Sequence, residues 1–334
     1  MSYENVNPSP SGPPSRDAGP VATRTGAGTL AVIALIVGNI ALAFGPWFVR
    51  LADTGPVSSA FWRITLAAPV LCIAALADGA RRRKMGPRTM GSPRMGRALW
   101  GLLALAGICF AGDLGAWHIG ILHTTLANAT LLGNSATLMF PIYGFLLARV
   151  WPSRGQAMAL LLALAGAVLL MGRSYELDPR NLVGDLFCLL AGVLYTAYFV
   201  LMVRVRERLA PLPALAMSTV FSIAPLLVLA LAMGERVLPT HWTPLIALAL
   251  CSQILGQGLM VYVLGRFTPL VIGIALLMQP VVAAIIGVLV YGERLGMADL
   301  AGAAMVAVAL VMVTRASAVA SGDARPTLAT GDER

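Results

Sequence analysis

Two charged residues lie inside long apolar stretches of the sequence. Arg63 falls within SSAFWRITLAAP and Asp113 within GICFAGDLGAWHIG. A lone charge in a bilayer costs at least about 2.5–3.5 kcal/mol on insertion scales, so each needs a partner. At about 1.5 Å per helical residue, both lie about 10 Å below the same membrane face. We therefore predict an ion pair, which is either a structural clamp or part of a site where Asp113 binds a proton or a substrate amine.

Aromatic and imidazole side chains follow Asp113. Trp117 comes one helical turn later and shares its face, so it either belongs to the charged site or anchors the helix at the interface. The three histidines, His118, His123 and His241, fall at predicted helix ends. Solvated surface side chains are expected there, and no metal-ligand spacing links them. We predict no metal site.

Uncharged polar side chains recur at mid-membrane depth in both halves of the chain. They are Asn39, Asn134, Tyr195, Gln253, Gln257 and Gln279, with Tyr198 at similar depth. A single amide of this kind commonly joins two helices by a hydrogen bond worth about 0.6 kcal/mol. As a group spread over both halves, they predict a central polar cavity that binds a small substrate.

Enzymatic signatures are missing from the sequence. It contains no H-E-x-x-H, no G-x-S-x-G and no G-x-x-x-x-G-K-[ST]. An intramembrane hydrolase would need a serine with a base or paired aspartates. We therefore expect neither an enzyme nor a cofactor.

The elements that position these residues are apolar runs of membrane-spanning length. The 334 residues are 58% hydrophobic and 12% charged, unlike a soluble domain. Ten spans are predicted, near 29–49, 57–77, 98–120, 126–148, 156–173, 183–203, 213–233, 243–264, 268–291 and 297–314. The chain is thus predicted to be an all-α integral membrane protein.

Basic residues give this bundle an orientation. With a cytoplasmic amino terminus, most arginines fall in cytoplasmic segments, above all RRRKMGPRTMGSPRMGR between spans two and three. Both termini are therefore predicted to be cytoplasmic, in the cell membrane. The net charge of +9 follows from this topology and indicates contact with membrane lipid rather than nucleic acid.

The two sets of five spans resemble each other. ATLLGNSATLMFPIYGFLLA in span four matches IGIALLMQPVVAAIIGVLVY in span nine, and Pro141 and Pro280 are predicted helix breaks. Because five is odd, the second copy enters the membrane from the opposite side, as in alternating-access transporters. Chance similarity between two Leu/Ala/Gly-rich helices is the competing explanation.

Three segments carry a family resemblance: SSAFWRITLAAP, GDLGAWHIGILHTTLANATLLGN and QPVVAAIIGVLVYGERLGMADLAGAAMVAVALV. Over residues 29–314 the chain resembles the drug/metabolite transporter superfamily, in the branch with two EamA-type repeats. The resemblance implies ten helices, cytoplasmic termini and export or exchange of small metabolites. Arg154 departs from the acidic turn that often ends the family's first repeat, but a basic residue suits an inside loop.

These observations predict five regions: a disordered cytoplasmic tail (1–28), a first five-helix repeat (29–173), an outer linker (174–182), a second five-helix repeat (183–314) and a cytoplasmic tail (315–334). The predicted function is secondary transport of a small metabolite by alternating access, by a monomer or homodimer. The alternative is a non-transporting membrane scaffold or sensor.

Overall fold

The computed structural model describes residues 28–84, 96–124, 129, 132–171, 179–291 and 296–322, and all regular structure within them is helical. The helices are α1 (Thr29–Ala43), α2 (Gly45–Leu51), α3 (Pro56–Lys84), α4 (Arg97–Leu122), α5 (Ala136–Ala148), α6 (Arg154–Met171), α7 (Leu182–Arg206), α8 (Pro211–Ala232), α9 (Thr243–Leu248), the π-helical segment π1 (Ala249–Gln257), α10 (Gly258–Val263), α11 (Pro269–Leu276), α12 (Met278–Tyr291) and α13 (Met297–Gly322).

Several predicted features lie outside the described residues. They are most of the amino-terminal tail, the centre of the basic loop between spans two and three, most of the outer linker, the Gly-Glu-Arg turn after span nine and the end of the carboxy-terminal tail. At the carboxy end, α13 continues to Gly322, past the predicted boundary at 314.

Eight segments of the described chain are long and apolar enough to cross a membrane. They are Thr29–Leu51, Pro56–Arg81, Arg97–Leu122, Pro179–Arg206, Pro211–Ala232, Thr243–Val263, Pro269–Val290 and Met297–Thr314. Two further apolar helices, α5 and α6, are shorter and occupy the positions predicted for spans four and five. The described residues therefore contain eight candidate spans and two shorter apolar helices where ten spans were predicted.

Large apolar side chains cover the outside of the bundle. Leu30, Leu76 and Leu289 are 70%, 75% and 79% exposed. A soluble monomer rarely exposes such a surface, whereas lipid tails solvate it without cost. The burial pattern thus agrees with the composition in requiring a bilayer.

The two halves of the chain pack against each other helix by helix. α3 contacts α8, α5 contacts α11, and α6 contacts α13, so helices at equivalent positions in the two halves meet. α4, in the third span, packs on α7 in the sixth, and α1, in the first span, packs on π1 in the eighth. The first and sixth spans are equivalent, as are the third and eighth, so these two contacts correspond to each other. Equivalent positions in the two halves thus make equivalent contacts.

Glycines permit the closest of these approaches, as small-residue interfaces in membranes require. A Cβ atom at Gly166 would lie 2.7 Å from the backbone oxygen of Gly302, where α6 meets α13. A Cβ atom at Gly107 would lie 2.6 Å from the backbone oxygen of Ser218, where α4 meets α8. Any larger residue at Gly107 or Gly166 would push the helices apart.

The turn between α2 and α3 is tied to the segment between α8 and α9. Glu235 accepts hydrogen bonds from the backbone N–H groups of Val57 (3.2 Å) and Ser58 (2.7 Å), in the first turn of α3. A carboxylate there satisfies free N–H groups and complements the helix dipole. Asp53 accepts a hydrogen bond from the Thr240 N–H at 2.7 Å, which lowers the pKa of Asp53 below its ordinary 3.8.

Candidate functional site

A cavity of about 300 Å³ lies between the two halves of the bundle. Its walls, with the turns beside them, come from both halves: α1 to α5 of the first half, and α7, α9, π1, α11 and α12 of the second. Its polar and aromatic lining side chains are Trp47, Arg50, Arg63, Phe110, Asp113, Trp117, His118, Asn134, Tyr195, Gln257 and Gln279. Seven residues of this lining were predicted from the sequence as site residues: Arg63, Asp113, Trp117, Asn134, Tyr195, Gln257 and Gln279.

Helix α4 supplies five lining residues, Phe110, Asp113, Leu114, Trp117 and His118. The prediction of a solvated His118 is wrong, because the side chain is only 3% exposed. Its Nδ1 lies 2.5 Å from the backbone oxygen of Leu114, and its ring meets Trp117 edge to face at 5.1 Å. Within the described part of the chain, Nε2 has no hydrogen-bond partner.

His118 is buried because α4 continues to Leu122 and packs closely on α7 beyond it. A Cβ atom at Gly120 would lie 3.0 Å from the backbone oxygen of Gly184. The signal available in the sequence is the glycine two residues after His118, which permits this approach. Counting the depth of His118 from the helix end did not predict its burial.

Arg63 reaches the cavity from α3 and is held by a residue of the other half. Its Nε donates to Oε1 of Gln253 at 3.2 Å, and Gln253 Nε2 donates to Thr219 Oγ1 at 3.2 Å. The guanidinium carbon also lies 5.8 Å from the ring centre of Phe110, within the range of a cation–π contact. Gln253 is fully buried, and the structure places it behind Arg63 rather than in the cavity lining.

Arg63 and Asp113 border the same cavity, and each charge lies within electrostatic range of the other. Attraction between opposite charges strengthens as the surrounding dielectric constant falls. The structure thus brings both residues to one cavity, and the ion pair itself stays a prediction.

Gln257 and Tyr195 meet on another part of the cavity wall. The Tyr195 hydroxyl lies 3.5 Å from Gln257 Oε1, at the outer limit of a hydrogen bond. Gln257 Nε2 is buried and lacks a partner among the described residues. Gln257 ends π1, and π-helical turns are rare and frequently occur at functional sites.

Gln279 is oriented by an amide from the first half. Its Nε2 donates to Asn39 Oδ1 at 3.3 Å, while Asn39 Nδ2 donates to the Leu35 carbonyl at 2.8 Å and contacts Met260 Sδ at 3.6 Å. Asn39 is fully buried and does not border the cavity. Its place in the structure is that of a support for Gln279.

The two predicted helix breaks differ in position. Pro280 lies in the first turn of α12, directly after the interruption at Leu277, where a missing N–H costs nothing. Helix α5 runs through Pro141 without a break, and the interruption lies at the turn that contains Asn134. Pro141 instead packs on α11, where a Cβ atom at Gly273 would lie 2.5 Å from its Cγ.

A second close contact accompanies this one. A Cβ atom at Gly144 of α5 would lie 2.8 Å from Cβ and Cγ of Pro269 at the start of α11. Each helix thus presents a proline to a glycine of the other. The α5–α11 contact brings the two backbones together directly beside the cavity, whose wall includes Ala136 and Leu276 at the adjoining ends of these helices.

Metal binding has no visible basis in this site. Within the described chain, no cluster of three His, Cys, Asp or Glu side chains could hold a metal ion. The polar groups of the cavity are instead spread over many helices.

Comparison with known proteins identifies the class of this bundle. The EamA-like transporter family matches residues 29–172 and 182–315, one copy for each half. The chain belongs to this family and is a multi-pass membrane transporter of the drug/metabolite type. No curated protein sequence matches it. A crystal structure described only as "Crystal structure of protein" has the same fold, with a TM-score of 0.70 and 16% identity over 86% of this chain and 98% of the other.

Proposed function

We propose that the protein is a secondary transporter that exports or exchanges a small polar metabolite by alternating access. The observation that carries this proposal is the cavity between the two repeats, which both halves line with polar side chains. A relative movement of the halves would then change the walls of the site as well as its access. Its size, about 300 Å³, is at the lower end of cavities that hold small organic ligands.

Packing beside the cavity supports alternating access. On the predicted topology, the α5–α11 contact occupies the cytoplasmic halves of spans four and nine, and the cavity lies on its outer side. The two Gly–Pro contacts would then close the cytoplasmic route in the conformation described. These contacts separate when the cavity opens to the cytoplasm. A different contact between the halves, near the outer face, then closes the outer route.

Two polar atoms beside the cavity lack partners among the described residues, and both are buried in the conformation described. They are His118 Nε2, an acceptor when Nδ1–H donates to the Leu114 carbonyl, and Gln257 Nε2–H, a donor. A movement of the two halves has to expose these atoms before a substrate can reach them. A buried polar group without a partner costs about 1–3 kcal/mol, so a substrate that pairs with either group is favoured. A solute that pairs with both atoms once they are exposed carries an N–H or O–H donor and an oxygen acceptor.

The proposal includes ten membrane-spanning helices, with α5 and α6 as parts of spans four and five, in two inverted repeats with both termini cytoplasmic. The equivalent contacts made by the two halves support the repeat, and the arginine distribution supports the orientation. A cysteine placed at Ser92, which lies outside the described residues, should resist impermeant thiol reagents in intact cells. External labelling there would contradict the topology.

A metabolite-resistance screen followed by uptake tests the function. Cells that overproduce the protein should tolerate one or a few small polar metabolites better than control cells, and purified protein should move the same solutes in proteoliposomes. A non-transporting scaffold or sensor would reach the membrane at normal abundance yet move none of them.

A further inference from the structure

A second cavity, of about 290 Å³, lies at one end of the bundle, away from the proposed substrate site. It is a half-open recess between the start of α4, the end of α5 and the end of α7 with the turn that follows it. Its lining residues are Leu102, Tyr143, Leu147, Val203, Arg204, Glu207 and Arg208. One part of the lining is therefore apolar, and the other carries two arginines, a phenol and a carboxylate.

This cavity lies at the boundary between hydrocarbon and water. The apolar stretches of α4 and α7 begin and end there, at Arg97 and Arg206. Leu147 in the last turn of α5 is 65% exposed, so the apolar part of the lining faces lipid tails. On the predicted topology this end is cytoplasmic, where anionic phospholipids give the membrane surface its negative potential.

The charged part of the lining suits a phosphate group. Arg204 is in the last turn of α7 and Arg208 in the turn that follows, where its N–H bonds to the Val205 carbonyl at 3.0 Å. Guanidinium groups bind phosphate oxygens through two parallel hydrogen bonds, and the Tyr143 hydroxyl can donate another. Glu207 opposes an anion, so the charged side chains of the lining sum to +1.

We propose that this cavity binds the phosphodiester headgroup of an anionic phospholipid, with an acyl chain lying along Leu147. An apolar wall that continues into the lipid-facing surface favours a lipid over a soluble anion, because a free phosphate would leave that wall unfilled. Basic pockets between membrane helices on the cytoplasmic side commonly hold anionic headgroups.

Native mass spectrometry of the full chain in detergent, titrated with phosphatidylglycerol or phosphatidylcholine, tests the site. At roughly fivefold for each basic side chain near the headgroup, Arg204→Gln with Arg208→Gln should weaken phosphatidylglycerol binding roughly 25-fold and leave phosphatidylcholine binding unchanged. Glu207→Gln should strengthen it roughly fivefold. The control is Arg81→Gln with Arg266→Gln, which removes the same charge from the same predicted membrane face outside the cavity.

Two results would overturn the proposal. An equal loss in the control pair, with no effect of Glu207→Gln, would mean diffuse attraction to the basic surface. Competition by inorganic phosphate as strong as by phosphatidylglycerol would make the cavity a soluble-anion site. Should the double arginine variant fail to fold, the Glu207→Gln titration still decides, since unchanged phosphatidylglycerol affinity there removes the headgroup from this cavity.

Discussion

Replacing Gly273 by alanine tests whether the α5–α11 contact opens during transport. The added Cβ atom would lie 2.5 Å from Pro141 Cγ and 2.6 Å from the Thr137 carbonyl oxygen, closer than real Cβ contacts. Overpacking of this kind costs about 1–3 kcal/mol. If the contact is present only while the cytoplasmic route is closed, the cost falls on that conformation alone and shifts the population about 5- to 150-fold toward the open one.

Thiol accessibility measures this shift. In a background without the four native cysteines, a cysteine at Leu276, which borders the cavity and is 2% exposed, reports on entry from the cytoplasmic side. Gly273→Ala should raise its rate of reaction with an impermeant reagent in inside-out vesicles by the factor given above. Transport should fall, because the closed conformation becomes rarer.

Two glycine controls separate gating from damage to packing. Gly101→Ala meets no atom within 4 Å and should change nothing. Gly166→Ala is similarly crowded, with the Gly302 oxygen at 2.7 Å, but joins α6 to α13 away from the cavity. It should lower thermal stability without raising the cysteine's reactivity. Equal reactivity in the Gly166→Ala and Gly273→Ala proteins would refute the gating role.

Three further predictions concern the charges and amides. In a double-mutant cycle of Arg63→Gln and Asp113→Asn, either single change should reduce folded yield more than the double change does. The coupling energy between the two sites should be about 3–5 kcal/mol if the pair is buried. Strictly additive losses would rule out the pair. Gln257→Leu should reduce transport at normal protein abundance, whereas Gln253→Leu should also lower thermal stability because Arg63 loses its acceptor. Asp53→Asn should lower the thermal stability at neutral pH, as melting curves will measure. The difference from the wild type should vanish as the pH falls through the lowered Asp53 pKa, because protonation of Asp53 removes the same stabilisation from the wild type.

Many residues that line the cavity could be predicted from the sequence, but their contacts could not. Counting residues along α3 and α4 placed Arg63 and Asp113 at the same depth, and both border one cavity. Such counting works along long helices because the rise per residue is constant. Gln253 and Gln257 were both expected in the substrate cavity, yet only Gln257 borders it. Both lie in the π-helical segment, where Gln253 bonds to Arg63 and Thr219 instead. No residue pattern in the sequence predicts the π-helical geometry of π1.

Burial by neighbouring helices is the other feature that periodicity could not supply. His118 was expected at a solvated helix end, and Asn39 was expected in the cavity. The close approach of α4 to α7 covers the first, and the contacts of α1 with π1 and α12 cover the second. Which face of an apolar helix meets protein rather than lipid depends on its partners, because both surroundings accept the same side chains.

Filling the cavity provides the most direct test of the proposed transport site. Ala283 of α12 borders the cavity, and Leu289 on the same helix is 79% exposed on the outside of the bundle. Uptake into proteoliposomes of a solute found in the resistance screen should be lost in Ala283→Trp and retained in Leu289→Trp, at equal amounts of folded protein. Undiminished uptake by Ala283→Trp would show that the substrate does not pass through this cavity.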